Sequence, residues 1–130
     1  MPYSIPSDDR LAEAIFVVMY RNQQVVSQKE MAALVLKELE KDGTEYRVSG
    51  ERIRRLAINR DMAQIVIDYN ESDGDLPDVC PVCRNPLISV KNSTLDGGVI
   101  EVMRKCKVCP YSVGTVRRVP GRYTFLRKKR

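Results

Sequence analysis

The chain has 130 residues, 43% of them apolar and 30% charged, with no histidine, no tryptophan and a net charge of +5. That apolar content excludes a disordered chain and is enough for one ordinary domain or two small ones with aliphatic cores. The missing histidine removes the commonest general base and any mixed Cys/His metal site.

The charge is unevenly spread. Residues 1–79 hold ten Lys+Arg against fifteen Asp+Glu, and residues 80–130 hold twelve against two. The sign changes where the cysteines begin, so the chain reads as two parts, 1–75 and 76–130. The basic part suits a polyanion, nucleic acid above all, with a solubilising surface as the plain alternative. No stretch approaches the roughly 18 unbroken apolar residues of a membrane helix. "MPYSIPSDDR" lacks the basic start and apolar run of a secretory signal, so no membrane partner and a cytoplasmic location are expected. No carboxylate pair, phosphate loop or nucleophile–base pair stands out, and no enzyme activity is expected.

The first predicted element is a helix over "SDDRLAEAIFVVMYRNQ". Capping residues Ser7 to Asp9 start it, and Leu11, Ala14, Ile15, Val18 and Met19 recur at helical spacing. Nothing in this pattern separates a dimer face from core, so a homodimer stays open. "QVVS" is a short apolar step suited to a strand. A second helix follows over "SQKEMAALVLKELEKDG", with Ser27 and Glu30 at capping-box spacing and Gly43 placed for a C-terminal cap. Met31, Leu34, Val35 and Leu39 give it an apolar face. Ser49 caps a third helix in "YRVSGERIRRLAINRD". Ile53, Leu56 and Ala57 form its inner stripe; Arg52, Arg55 and Asn59 lie opposite, with Arg54 on the flank. "AQIVIDY" is a strand and "NESDGD" a turn.

This order resembles a winged helix-turn-helix, and the resemblance implies that the third helix enters the major groove, with Arg52, Arg54, Arg55 and Asn59 reading base edges. Three features of the residues argue against this, and the first, an acidic surface, suits a protein partner instead. The candidate wing "NESDGD" is acidic, where wings beside phosphates carry Lys or Arg. The loop from Gly43 to Val48 is long for this motif. Pro77 interrupts "DLPDV", where the second strand of the wing would lie.

All four cysteines fall in two Cys-x-x-Cys pairs, Cys80 with Cys83 and Cys106 with Cys109. A two-residue gap lets one tight turn aim both thiolates at a point, and two such turns complete a tetrahedral set for zinc. Iron and redox thiols are the alternatives. With no open position, one zinc ion would be structural rather than catalytic. "LISVKNST" and "VIEVMRK" read as strands joined by the turn "LDGG", and "YSVGTVRRV" reads as a third. Some 50 residues bury little apolar surface, so the metal would stand in for a core. "CPVC" and "CKVC" resemble the zinc-ribbon family. That family usually has Gly after the second cysteine, where this chain has Arg84 and Pro110.

"TVRRVPGRYTFLRKKR" reads as a basic tail. Tyr123 and Phe125 are expected to pack on the ribbon, with stacking on unpaired bases as the alternative, while the terminal Arg127, Lys128, Lys129 and Arg130 act electrostatically. Candidate nucleic-acid contacts here are Lys91, Arg104, Lys105, Lys107, Arg117, Arg118, Arg122, Arg127 and Lys128. Along nearly its whole length the chain resembles archaeal proteins that fuse a helix-turn-helix to a zinc ribbon, described as predicted transcription regulators. The expectation is therefore an α+β protein, a winged helix-turn-helix followed by a small antiparallel zinc ribbon, that acts as a non-enzymatic DNA-binding regulator. The alternatives are an adaptor touching RNA polymerase or an initiation factor, and an RNA- or ribosome-binding protein.

Overall fold

Three helices come first, each started by a serine. The computed structural model describes residues 3–114 and 117–128. Helix α1 spans Asp8–Arg21, α2 spans Gln28–Leu39 and α3 spans Gly50–Asn59. Ser7, Ser27 and Ser49 each accept a bond from the backbone N–H three residues on, at 3.1 Å in all three cases. Each bond satisfies one of the amide donors that a helix start leaves free. A single 3-10 turn, Glu40–Asp42, extends α2 and ends at Gly43, whose φ of +84° is the left-handed value that favours glycine. The long step from Gly43 to Val48 is tied down rather than loose. Thr44 N–H donates to Asp42, and the Tyr46 hydroxyl donates to the same carboxylate at 2.6 Å.

Among the described residues, six strands form two three-stranded sheets. The first contains β1 (Gln24–Val25), β2 (Ala63–Ser72) and β6 (Arg117–Arg127), in the order β1-β6-β2. The second contains β3 (Leu87–Ser93), β4 (Val99–Cys106) and β5 (Ser112–Val113), in chain order. Strands β3 and β4 form an antiparallel hairpin from Leu87↔Cys106 to Ser93↔Val99, with a bulge between Val90 and Lys91. Its turn closes through Thr94 N–H to the Gly98 carbonyl, with Gly97 at φ +87°. The chain is thus mixed α+β, as its patterns imply.

The third ribbon strand is shorter than "YSVGTVRRV" suggests, because only Ser112 and Val113 pair with β4. The arginine-rich segment after it forms β6. Gln24 and Val25 pair with Leu126 and Phe125 of that strand, and Phe125 is fully buried. Tyr123 and Phe125 therefore belong with the helices and not with the ribbon.

Two compact units result. The first comprises residues 1–66 and 122–130, and the second residues 67–121. This differs from a division at 75/76, because the chain returns to the first unit through β6. The core of the first unit is Leu11, Ala14, Ile15 and Val18 of α1, Met31, Val35 and Leu39 of α2, Ile53 and Ala57 of α3, plus Val25, Ile65 and Phe125. Among its described residues, the second unit buries only Val82, Tyr111, Val113 and the four cysteines. A core that small cannot offset the conformational entropy of some 55 residues without a staple. Among the described residues, no helix is long and apolar enough to cross a membrane.

The same division redistributes the charge. The first unit carries fifteen Lys+Arg against ten Asp+Glu, and the second seven against seven. The excess positive charge belongs to the helical unit, and the cysteine-bearing unit is neutral.

Candidate functional site

Each cysteine pair sits at a turn beside the β3–β4 hairpin. Cys80 and Cys83 precede β3, Cys106 ends β4 and Cys109 follows it. All four are buried, and their sulfurs lie within 4.8 Å of one another. Cys80 and Cys109 are 3.5 Å apart, Cys83 and Cys106 3.5 Å, and Cys83 and Cys109 3.7 Å. A disulfide would bring sulfurs to about 2.05 Å, and all four are free thiols. A tetrahedral ion with metal–sulfur bonds of about 2.3 Å has sulfur–sulfur edges of about 3.8 Å. The observed spacing fits that polyhedron, so the four cysteines could hold one metal ion.

The turns also supply donors to sulfur. Val82 N–H points at Cys80 Sγ and Val108 N–H at Cys106 Sγ, both at 3.4 Å. Such bonds favour thiolate over thiol. Asn85 adds a side-chain donor, Nδ2 to Cys83 Sγ at 3.0 Å, which the Cys-x-x-Cys pattern does not announce. Arg84 stands where the ribbon pattern has glycine, and it takes the left-handed conformation, φ +68°. Its N–H closes the turn onto the Cys80 carbonyl at 2.9 Å. Pro110 has no N–H to close the second turn in that way; there Cys106 N–H donates to the Tyr111 carbonyl at 3.0 Å.

The sulfurs share protons unequally. The hydrogen bond with Cys109, aided by backbone donors, brings the Cys80 thiol down to about 5 despite burial. The same bond, with burial, pushes Cys109 up, and burial pushes Cys83 up. A bound metal would replace these protons and hold all four sulfurs as thiolates.

The candidate nucleic-acid residues fall into three situations. On α3, Arg52 donates to the Pro6 carbonyl at 2.7 Å and pairs with Asp8 at 2.8 Å. Arg55 pairs with Glu51 at 3.1 Å, and its Nε is buried without a partner. Asn59 is exposed. Arg54 departs from expectation. It is only 5% exposed, it donates to Gln28, and its guanidinium lies over the Tyr123 ring at 4.4 Å. That places Arg54 in the core, where it holds α2, α3 and β6 together and cannot reach a base edge.

In the second unit, Lys91 lies opposite Glu101. Arg104 is held by Glu101, Asp78 and the Pro77 carbonyl. Lys105 and Lys107 are exposed with no ion pair among the described residues. Arg117 reaches the Asp73 carbonyl at 3.5 Å, and Arg118 covers Tyr69 at 3.7 Å. In the first unit, Arg122 is exposed with no ion pair among the described residues. Arg127 donates to the Tyr20 carbonyl at 2.9 Å, and Lys128 pairs with Asp61. Lys129 and Arg130 lie outside the described residues.

Two further features were not singled out from the sequence. Arg60 follows α3 and pairs with Asp9 at 3.1 Å. Lys29 and Lys37 are exposed on α2; their spacing outside the apolar stripe was the available signal. No protein-family model, no curated protein and no solved structure matches this chain.

Proposed function

We propose that this chain is a non-enzymatic, DNA-binding transcription regulator of the winged-helix type, with a structural zinc ribbon carried between the two strands of its wing. The observation that supports it most is the strand order β1-β6-β2 following three helices. A wing needs a second strand beside β2. Residues 73–79 form no strand, and the position of β6 in the sheet with β2 supports this reading. The net positive charge of that same unit suits it to phosphates. Arg55 and Asn59 remain on the outward side of α3 as the base-reading pair, Arg52 lies beside them, and Arg122 with the α2 lysines contributes phosphate contacts. The all-cysteine site favours zinc, which would hold the second unit together rather than do chemistry.

Binding to a random pool of duplex DNA, followed as a function of salt, tests this reading. Affinity should fall steeply as salt rises. Arg55→Ala should cost about 1–3 kcal/mol on preferred sequences and relax the preference. Arg122→Ala should weaken every sequence alike and lower the salt slope by about one. Absence of duplex binding at low salt would overturn the proposal, and equal loss on all sequences for Arg55→Ala would remove base reading by that residue.

One observation favours a second reading, an adaptor of the transcription machinery that docks on a protein. Arg52, Arg55 and Arg60 each already face a carboxylate. Tagged protein that retains a polymerase or initiation factor after nuclease treatment, without duplex binding, supports this second reading.

A further inference from the structure

Helix α1 buries one face and leaves the other uncovered. Asp9, Glu13, Phe16 and Tyr20 follow one another at helical spacing, so they form one stripe along its outer side. Phe16 is 51% exposed and Tyr20 70% exposed. Their rings stack at 6.3 Å, which makes a single aromatic ridge in water. Beside the ridge lies a groove of about 290 Å³, lined by Phe16, Met19, Tyr20, Met62, Arg127 and Lys128. Every one of these residues belongs to the first unit.

The stripe has a direction. Its N-terminal half is acidic through Glu13, whose side chain is 73% exposed, while Asp9 is paired with Arg60 at 3.1 Å. Its middle is aromatic. Its C-terminal end is basic through Arg127, which is anchored to the Tyr20 carbonyl, while the charge of the neighbouring Lys128 is offset by Asp61. Glu13 has only a loose contact with Arg10, at 4.0 Å, and Arg127 bonds to a neutral carbonyl, so its charge is not cancelled there. A surface that runs acidic, aromatic, basic is complementary to itself when turned end for end about its centre. A two-fold axis near Phe16 does this, since in an isologous interface each residue meets its counterpart's partner.

We infer that α1 is a homodimer face. Two copies of the chain pair with their α1 helices antiparallel, Glu13 of each against Arg127 of the other, and the aromatic ridge of each in the other's groove. Methionine side chains on the groove floor adapt to an inserted ring. The charges fix the register, and the rings supply the buried apolar area. The inference does not rest on nucleic-acid binding and uses no residue assigned to it except Arg127 and Lys128 at the groove rim.

Sedimentation of the full, metal-loaded chain over a range of micromolar concentrations tests it. A reversible monomer–dimer equilibrium that weakens with salt is the expected result. Phe16→Ser, at an exposed position, should raise the dissociation constant by at least about tenfold while leaving helix content unchanged. Glu13→Arg alone and Arg127→Glu alone should each weaken the dimer, and the two together should restore it to near the original strength. That recovery is a result that damage to folding cannot mimic. A chain that stays monomeric throughout overturns the inference, as does a dimer indifferent to Phe16→Ser. A double variant no stronger than either single one overturns the antiparallel pairing.

Discussion

Arg54 shows how a charged residue can be structural. A cation on a helix flank reads as surface, yet its guanidinium is buried against Gln28 and the face of Tyr123. Burial of a cation is tolerated when hydrogen bonds and a ring face replace its water. Removing it leaves those partners unmatched and opens a gap in the core, so Arg54→Ala should destabilise the first unit by about 2–4 kcal/mol. Thermal melting checks this, and any loss of nucleic-acid binding should track unfolding. Arg84 shows the opposite case, a residue held where its type fits poorly. Left-handed backbone costs a non-glycine residue roughly 1–2 kcal/mol. Arg84→Gly should therefore be neutral or mildly stabilising, and Arg84→Val should destabilise the metal site by about 1–2 kcal/mol. Competition with a chelator measures both. The missing glycine was legible in the sequence; the strain it leaves behind was not.

At the scale of elements, the three helices and the β3–β4 hairpin were legible because each has local punctuation. Ser7, Ser27 and Ser49 mark starts, Gly43 marks a stop, and "LDGG" marks a turn. Strand β6 was not legible. Its arginines and its Pro120–Gly121 pair resemble a solvated tail, and its partner β1 is only two residues long. What makes it a strand is distant, the burial of Phe125 against Val25 and the helices. Phe125→Ala should cost the first unit about 3–5 kcal/mol while leaving the metal content of the second unit unchanged. A melting curve combined with metal analysis separates the two effects. The third helix was placed correctly as an element, but its exposed cationic face is narrower than the pattern implies. Arg54 is lost to the core, and Arg52 is shared with Asp8 and the Pro6 carbonyl.

For the whole molecule, the four cysteines were the most legible feature, since ligand type and spacing alone predict convergence. Their energetic weight follows from how little else the second unit buries. Structural zinc in small domains contributes roughly 10–16 kcal/mol at pH 7. Chelation, or Cys106→Ser, should abolish hydrogen-exchange protection in β3 and β4 while the amides of α1, α2 and α3 stay protected. Loss of protection in all of them together would show that the two units do not fold separately. The charge distribution was legible only in part. Counting along the chain put the positive excess with the cysteines, and folding moves it to the helices, because position in sequence is a poor guide to position in space once a strand returns.

That return also bears on how the protein is made. Residues 1–66 leave the ribosome before Phe125, so β1 waits for its partner strand until the whole cysteine-bearing segment has been synthesised. A nascent chain would then hold Val25 without its strand partner for the time needed to translate about 55 further residues, several seconds at roughly 5–20 residues per second. Capture of metal by the segment in between would shorten the effective span to be bridged, and so lower the entropic cost of bringing the closing strand home. Metal-starved cells should accordingly accumulate this protein in aggregates rather than as a soluble half-folded form.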